Sequence, residues 1–253
     1  MVSIIKGLLW KLLGPVRYLK LVSRLFFKAY EYDLLQYNPA YFTHYLARKL
    51  VQPDSVILDI GGNLGYYSRI FTTYGGSNCI VYAVEPIELY REVFKANNAA
   101  FKNIQLLPFA LGPEDGIIKM GNPSAMPYRH GLMRVLDDAD KVEVSYEVEV
   151  KNPGTYFDNF PTIDYIKCDI EGFEVPVIPL MEKLIAKDKP VMQIETEGEN
   201  KKIICKLLAG LQYRFYYAGQ GKLIAYNDIN QPLPGDLIAI PPEREKLLES
   251  ILP

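Results

Sequence analysis

The fold is decided by Val56-Ile-Leu-Asp59-Ile-Gly-Gly-Asn-Leu-Gly65, a short apolar run followed by a turn with three glycines. The run is rich in β-branched residues, which predicts a buried strand from Val56 to Ile60. Helical periodicity then predicts a helix from Leu64 to Tyr74. A strand that enters a helix through a glycine-rich turn is typical of a parallel sheet with crossover helices.

The same alternation extends to both sides of this unit. A helical stretch over residues 41–50 precedes it, and the pattern returns after residue 162. The predicted elements are strands Ile80–Glu85, Ile104–Ala110, Ile163–Cys168 and Val191–Glu195, helices Glu88–Ala100, Val175–Ala186 and Lys201–Gly210, and the later, antiparallel strands Tyr213–Tyr217, Leu223–Tyr226 and Asp236–Ile240. With Val56–Ile60 these are eight candidate strands, and we expect an α/β fold with a mostly parallel, seven-stranded sheet flanked by helices.

Residues 112–162 interrupt the alternation. Gly116–Gly121 is compatible with a strand, residues 122–140 are loop-like, and Val142–Val150 alternates like a half-exposed strand. We interpret this stretch as an insertion that faces the substrate.

The three glycines of the first turn fall at positions one, two and five, whereas a dinucleotide-binding loop places them at one, three and six. An acid inside the strand, Asp59, also suits a pyrophosphate poorly, but it suits the amino group or hydroxyls of S-adenosylmethionine. Tight-turn packing without any ligand remains the alternative.

Acidic residues follow two more predicted strands. Glu85 ends the second strand, where a carboxylate can accept both hydroxyls of a ribose or cap the next helix. Asp169, Glu171 and Glu174 crowd the turn after a later strand, and their mutual repulsion would not favour a purely structural turn. A nearby cation or a proton to be removed from a substrate would explain them. Mg²⁺ would too, but no histidine or fourth acid lies close in sequence, so we predict no metal.

Together these junctions resemble the FkbM family of S-adenosylmethionine-dependent methyltransferases. The first motif reads Asp59-Ile-Gly-Gly-Asn63-Leu-Gly65-Tyr-Tyr-Ser68, and the second, more specific one reads Ile166-Lys-Cys-Asp169-Ile-Glu171-Gly-Phe-Glu174. The family usually has alanine where this chain has Gly62, and its leucine-aspartate pair is matched only loosely at Tyr156-Phe-Asp158. The resemblance covers roughly residues 40–242 and implies a Rossmann-like class I methyltransferase fold.

The resemblance also implies roles for individual residues. The cofactor would be S-adenosylmethionine, bound by Asp59, Gly61, Gly62, Asn63, Gly65, Ser68 and Glu85, with Phe109 or Ala110 near its adenine. Asp169 and Glu171 are the leading candidates for the catalytic base. Residues assigned to the substrate are Arg129, His130, Glu174 and Glu195, and of these His130 and Glu195 are rival bases. His130 could equally be an exposed loop residue, and His44 is expected to have a structural role.

The first thirty residues differ from the rest in charge. They carry six lysines and arginines and no acid, so the remaining chain has a net charge of −8, given −2 for the whole. Such an acidic body argues against nucleic acid as a partner. Apolar residues recur at helical spacing from Ile4 to Phe26, which predicts a basic amphipathic helix, or two helices broken at Gly14-Pro15. This helix either contacts an anionic membrane or packs on its own domain.

No apolar block has the length of a signal peptide or of a spanning helix, so we expect a cytoplasmic protein, with the inner face of the membrane as its contact. We divide it into a helical extension, residues 1–35, and a methyltransferase domain, residues 36–253. The leading functional hypothesis is an O-methyltransferase acting on a hydroxyl of a sugar in a glycan or lipid-linked saccharide. The alternatives are a non-catalytic cofactor-binding or membrane-adaptor module, a nitrogen acceptor, and a nicotinamide oxidoreductase.

Overall fold

The computed structural model describes residues 2–123, 128, 130–136, 142, 144–219 and 222–250 of the 253. Within them the chain forms a large mixed sheet, a small second sheet and helices on both faces of the large sheet. The α/β class predicted from the alternating pattern is confirmed.

The large sheet contains eight strands in the described part of the chain, in the order β11-β10-β12-β9-β8-β1-β2-β3, one more than the seven expected for it. Strand β11 corresponds to the predicted strand Leu223–Tyr226 and pairs as an antiparallel hairpin with β10 at the sheet edge. The five strands from β9 to β3 are parallel, whereas the pairs β9–β12, β12–β10 and β10–β11 are antiparallel. Their bounds are β1 Val56–Ile60, β2 Ile80–Val84, β3 Ile104–Leu107, β8 Tyr165–Cys168, β9 Val191–Ile194, β10 Arg214–Gly219, β11 Lys222–Ala225 and β12 Leu237–Ile240.

The predicted insertion forms the second sheet, with strand order β4-β7-β5-β6. Its strands are β4 Ala110–Leu111, β5 Gly116–Gly121, β6 Arg134–Val135 and β7 Ser145–Lys151. The single strand predicted from Ile104 to Ala110 is therefore wrong. Pro108 lies between β3 and β4, and because proline cannot donate to a strand ladder, the chain leaves the large sheet there and enters the small one.

The helices are α1 Val2–Glu31, α2 Phe42–Leu50, α3 Tyr66–Gly75, α4 Glu88–Asn97, α5 Pro153–Tyr156, α6 Glu174–Val177, α7 Glu182–Asp188 and α8 Gly198–Gly210, with 3₁₀ turns at Pro39–Tyr41, His130–Leu132, Ile178–Met181 and Pro242–Ser250. The continuous helix predicted over Val175–Ala186 is wrong: a 3₁₀ turn separates α6 from α7, and Pro176 and Pro179 lack the N–H groups that a continuous helix needs. None of the described helices is long and apolar enough to cross a membrane.

Helix α1 is bent where the sequence predicts a break. Gly14 has φ 72° and ψ 164°, outside the helical region, and Pro15 follows it. Beyond this bend, Tyr18 and Leu19 are buried in a hydrophobic cluster with residues of α4 and of the second sheet. The second half of α1 therefore packs on its own domain.

The order of the strands fixes the place of the site. Strand β1 lies between β2 and β8, so the chain runs to one side from β1 to β3 and to the other side from β8 to β9. Ligands of open parallel sheets bind beyond the carboxyl ends of the strands at such a reversal. The three junctions singled out in the sequence all lie at this edge.

Candidate active site

The glycine turn after β1 is shaped by its contact with the turn after β8. Gly61 has φ 81°, and a Cβ atom there would overlap the carbonyl oxygen of Asp169. The N–H groups of Gly61 and Gly62 both donate to the carbonyl oxygen of Val84, at 3.0 and 2.9 Å. Gly65 has φ 83°, and a Cβ atom there would overlap the Asn98 side chain. The glycines thus allow three segments of backbone to meet, in agreement with the tight-turn interpretation, and Gly61 also lines the cleft described below.

Glu85 lies at the end of β2 and is 4 % exposed. Its Oε2 accepts the N–H of Asn63 at 2.8 Å and its Oε1 accepts the N–H of Ile87, also at 2.8 Å. Burial raises the pKa of Glu85 to about 7, while the two N–H groups oppose that rise. Each carboxylate oxygen retains a lone pair, so Glu85 can still accept hydroxyl donors from a ligand.

A cleft of about 810 Å³, open at its mouth, lies above these residues. The ends of β1 and β2 form its floor. Met120 and Val135 of the second sheet form its roof together with Met133, which directly precedes β6. Among the described residues its lining is Ile60, Gly61, Asn63, Val84, Glu85, Pro86, Ile87, Tyr90, Ala110, Leu111, Met120, Gly131, Met133, Val135, Asp169, Ile170, Glu171, Phe173 and Glu195. The insertion therefore covers this cleft.

Asn63 contributes an unsatisfied acceptor to the cleft. Its Oδ1 is buried and accepts no hydrogen bond from the described residues, although its N–H is bonded to Glu85. A buried acceptor without a partner costs free energy, so a ligand that donates a hydrogen bond here would be favoured.

Several residues predicted to bind cofactor lie outside the cleft lining. Asp59 is fully buried beneath the turn, where its Oδ2 accepts the Ser68 hydroxyl at 2.6 Å, and burial raises its pKa. Phe109 is buried against Tyr156, with ring centroids 4.7 Å apart. Gly62, Gly65, Ser68, Asp59 and Phe109 therefore act on the shape of the turn and the core in this structure, whereas Gly61, Asn63, Glu85 and Ala110 border the cleft.

Three carboxylates meet where the cleft reaches β8 and β9. One oxygen of each of Asp169, Glu171 and Glu195 lies within 4.8 Å of the others. The hydrogen bond between Asp169 and Glu195, with burial, raises the pKa of Glu195 to about 9. Burial and the charge of Asp169 raise the pKa of Glu171 to about 7. Glu195 is therefore the more readily protonated of the two, and at neutral pH Glu171 is close to half ionised.

A buried lysine, Lys167, keeps Asp169 ionised. Its Nζ donates to Asp169 Oδ2 at 2.9 Å and to the carbonyl oxygen of Gly61 at 3.3 Å, and its side chain is 3 % exposed. Although burial opposes it, the Lys167 charge lowers the pKa of Asp169. Lys167 thus joins the two turns electrostatically. The second motif contains this lysine, but the sequence alone assigned it no role.

A second cleft, of about 940 Å³, meets the first at Glu171 and Glu195. Its lining is Glu171, Gly172, Glu174, Glu195, Thr196, Glu197, Asn200, Leu233, Gly235 and Asp236. The Oε1 of Glu174 also accepts the N–H groups of Ile170 and Gly172, at 2.9 and 3.3 Å, so it fixes the turn as well as bordering this cleft. Burial raises the pKa of Asp236, another residue that the sequence did not single out, to about 6. The second cleft is therefore strongly acidic.

The histidines and Arg129 complete the account of the predicted residues. Burial lowers the pKa of His44 to about 3, and its Nδ1 lies 3.3 Å from the Tyr67 hydroxyl, away from both clefts, as expected for a structural residue. Arg129 lies outside the described residues. Only the backbone of His130 is described, in a 3₁₀ turn whose next residue, Gly131, borders the first cleft. Roles for both stay predictions.

The sequence profile of the methyltransferase FkbM domain matches residues 59–215, more than half of the chain. The chain belongs to the FkbM methyltransferase family. The match begins at Asp59, near the end of β1, and includes both motifs, the insertion and strands β2 to β9. S-adenosylmethionine is thus the methyl donor that the family implies for this FkbM methyltransferase. A comparison of the chain with curated protein sequences found no match.

Solved methyltransferases are similar to this FkbM chain at low sequence identity, with TM-scores below 0.5. The crystal structure of the methyltransferase FkbM from Methylobacillus flagellatus KT is 14 % identical with a TM-score of 0.47, and the match covers 74 % of this chain and 44 % of that one. Precorrin-6y C5,15-methyltransferase from Geobacter metallireducens GS-15 is 15 % identical with a TM-score of 0.47, over 79 % and 86 % of the two chains. An S-adenosylmethionine-dependent O-methyltransferase from Thermotoga maritima is 12 % identical with a TM-score of 0.45, over 80 % and 65 %.

The first cleft of the FkbM domain fits S-adenosylmethionine by its chemistry. Glu85 can accept the ribose hydroxyls, the free Oδ1 of Asn63 can accept an N–H or O–H donor, and the carboxylates of Asp169 and Glu171 suit a cationic sulfur. The grouped acids Asp169, Glu171 and Glu195 are also close enough to hold a metal ion. The absence of a metal therefore stays a prediction.

Proposed function

We propose that this protein transfers the methyl group of S-adenosylmethionine to a hydroxyl group of a sugar, in a glycan or a lipid-linked saccharide, in the cytoplasm. The observation that carries the proposal is the junction of the two clefts at Glu171 and Glu195. A donor in the first cleft and an acceptor in the second would meet beside a carboxylate with a pKa of about 7.

The bound donor supplies a methyl group on a positively charged sulfur. The chain's own contribution is to hold the acceptor oxygen in line with that methyl and to take its proton, as the new C–O bond forms and the C–S bond breaks. Glu171 is suited to take the proton because its pKa lies near neutrality. Lys167 holds Asp169 ionised, and Asp169 orients Glu195 through the hydrogen bond between them. The Asp169 carboxylate would also face the positively charged sulfur of a bound donor.

The acidic second cleft supports a polyhydroxyl acceptor. Carboxylates such as Glu197 and Asp236 accept hydrogen bonds from sugar hydroxyls, and they disfavour phosphate or carboxylate groups at the same place. The same charges would also attract an amine, so amines belong in any acceptor screen.

Calorimetry with S-adenosylmethionine tests the donor site. Glu85→Gln is expected to weaken binding by roughly 10- to 100-fold, since hydrogen bonds to a charged group contribute about 1.5–3 kcal/mol each. Glu171→Gln is expected to retain binding and lose turnover. Unchanged binding in Glu85→Gln would contradict the donor site, and NAD binding without S-adenosylmethionine binding would favour an oxidoreductase.

Mass spectrometry of glycans from cells with and without the protein tests the acceptor. The expected result is a mass gain of one CH₂ group on a saccharide only when the protein is present. A CH₂ gain on amines alone would assign nitrogen methylation. Donor binding without any methylated product across saccharides, amines and other hydroxyl compounds would favour a non-catalytic module.

A further inference from the structure

Helix α1 has a face that its own domain does not cover. Its inner face carries the buried side chains Tyr18, Leu19, Phe27 and Tyr30. On the opposite side, large apolar side chains point to solvent, with Ile4 76 %, Leu8 57 % and Leu12 71 % exposed. The exposed members, Ile4, Ile5, Leu8, Leu12, Leu21 and Leu25, are called here the outer face of α1.

The spacing of the outer face makes it continuous along each half of the helix. Ile4, Leu8 and Leu12 recur every four residues before the bend at Gly14, and Leu21 and Leu25 repeat that spacing after it. Residues four apart lie on the same side of a helix. Exposed apolar residues scattered singly need no explanation, but a row of them marks an interaction surface.

The charges that α1 itself carries up to Lys28 are all positive, and of these Lys20 is paired with Glu92 of α4. Lys6, Lys11, Arg17, Arg24 and Lys28 are exposed on α1, and no acid precedes Glu31. A surface that combines exposed leucine and isoleucine with lysine and arginine matches an interface of acyl chains and anionic headgroups. A second copy of the chain would bring six positive charges against six, which is unfavourable.

We propose that the outer face of α1 docks on an anionic lipid membrane, with the helix lying in the plane of the headgroups. Each basic residue near such a surface contributes about 1 kcal/mol, and the apolar side chains add to this when they enter the boundary with the acyl chains. Through Tyr18 and Leu19, the docked helix shares one hydrophobic cluster with Met120, which is part of the roof of the first cleft. Docking would therefore hold the cleft in a fixed orientation to the membrane.

Flotation of the full chain with vesicles tests this docking without any knowledge of the acceptor. The probes are phosphatidylcholine vesicles with and without phosphatidylglycerol. We expect the wild-type chain to float with the anionic vesicles, and less with the neutral ones. In Leu8→Gln/Leu12→Gln flotation should be lost, and in Lys11→Gln/Arg24→Gln it should be roughly thirtyfold weaker, as two such charges predict.

Ile203→Gln is the matched control, because Ile203 is 46 % exposed on α8, whose buried residues belong to a different hydrophobic cluster from those of α1. It should float like the wild type. Unchanged flotation in both α1 variants would overturn the proposal. So would light scattering that shows a dimer which Leu8→Gln/Leu12→Gln dissociates, since the outer face would then bind a second copy. Calorimetry with S-adenosylmethionine on every variant shows that the fold is intact, and its outcome is independent of vesicle binding.

Discussion

Replacing Lys167 by methionine should destabilise the protein strongly and in a pH-dependent manner. Methionine keeps much of the side-chain volume but removes the charge that pairs with Asp169 at 2.9 Å. Removal of one partner from a buried ion pair costs about 3–5 kcal/mol. The Asp169 side chain is 33 % exposed and water screens it in part, so the lower end, about 3 kcal/mol, applies.

The pH dependence follows from the pKa of Asp169. In the wild type, Lys167 lowers the pKa of Asp169 despite burial. The stability that the Lys167–Asp169 ion pair contributes is therefore present at neutral pH and is lost only as the pH falls through the lowered pKa. Without the lysine, burial raises the pKa of Asp169, although the hydrogen bond with Glu195 opposes that rise, and the folded variant is penalised above the raised value. The loss of stability in Lys167→Met should therefore be larger at pH 8 than at pH 5.

Urea unfolding at the two pH values measures this effect. For an m-value of about 3 kcal/mol/M, the urea midpoint at pH 8 should fall by about 1 M. The double variant Lys167→Met/Asp169→Asn should recover roughly 1–2 kcal/mol, because the stranded charge is removed as well. A midpoint within error of the wild type, or no recovery in the double variant, would refute the assignment of Lys167 as the partner of Asp169.

Lys201 provides a matched control. It is also a buried lysine, at 4 % exposed, but its ammonium donates to the carbonyl oxygen of Gln231 rather than to a carboxylate. Lys201→Met should therefore lose stability to a similar extent at pH 5 and pH 8. A pH-dependent loss in both variants would point to a general charge effect instead of a specific pair.

Three shorter predictions concern the same site. The rate of methyl transfer should fall roughly tenfold per pH unit below pH 7, because the base must be ionised and the pKa of Glu171 is raised to about 7. Glu171→Gln should remove this acidic limb of the pH–rate profile and lower the rate by about 10²- to 10⁴-fold, and an acidic limb that persists would exclude Glu171 as the base. In urea unfolding, Gly61→Ala should destabilise the protein by about 1–3 kcal/mol more than Gly76→Ala. Both glycines have φ near +80°, but only Gly61 contacts the backbone of Asp169, so equal losses of stability would disprove the contact. A chelator should leave S-adenosylmethionine binding unchanged in calorimetry, because Lys167 already supplies a cation to the acids. If a chelator abolishes binding and added Mg²⁺ restores it, a metal ion would be assigned to Asp169, Glu171 and Glu195.

Hydrophobic periodicity predicted the parallel part of the fold because strands buried on both faces are continuous apolar runs. It also placed Glu85 and Asp169 at one sheet edge, since parallel strands end on the same side. It failed where strands are short and half exposed. The chain passes from the large to the small sheet at Pro108, and the two-residue strand β6 has too few residues for any period to show.

The partners of the acids could not be predicted, because they depend on strand order and register. In β1 and β8, Asp59 is paired with Lys167, and Asp169 lies two residues further along on the same side as the lysine. Glu195 reaches the cluster only because β9 is adjacent to β8. Nothing local in the sequence determines either pairing, so Asp59 was predicted as a cofactor ligand although it is fully buried beneath the turn.

The packing of α1 decides how its membrane contact can be tested. Deletion of residues 1–30 would expose the cluster in which Tyr18 and Leu19 contact the second sheet, and with it the support for Met120 above the first cleft. Such a truncated chain would be expected to lose donor binding and vesicle binding together, whether or not the helix touches lipid. Substitutions at Leu8 and Leu12 leave the inner face intact, because both side chains are exposed. If these variants bind S-adenosylmethionine normally yet no longer float, membrane docking is a property of the outer face and is separable from the integrity of the cleft.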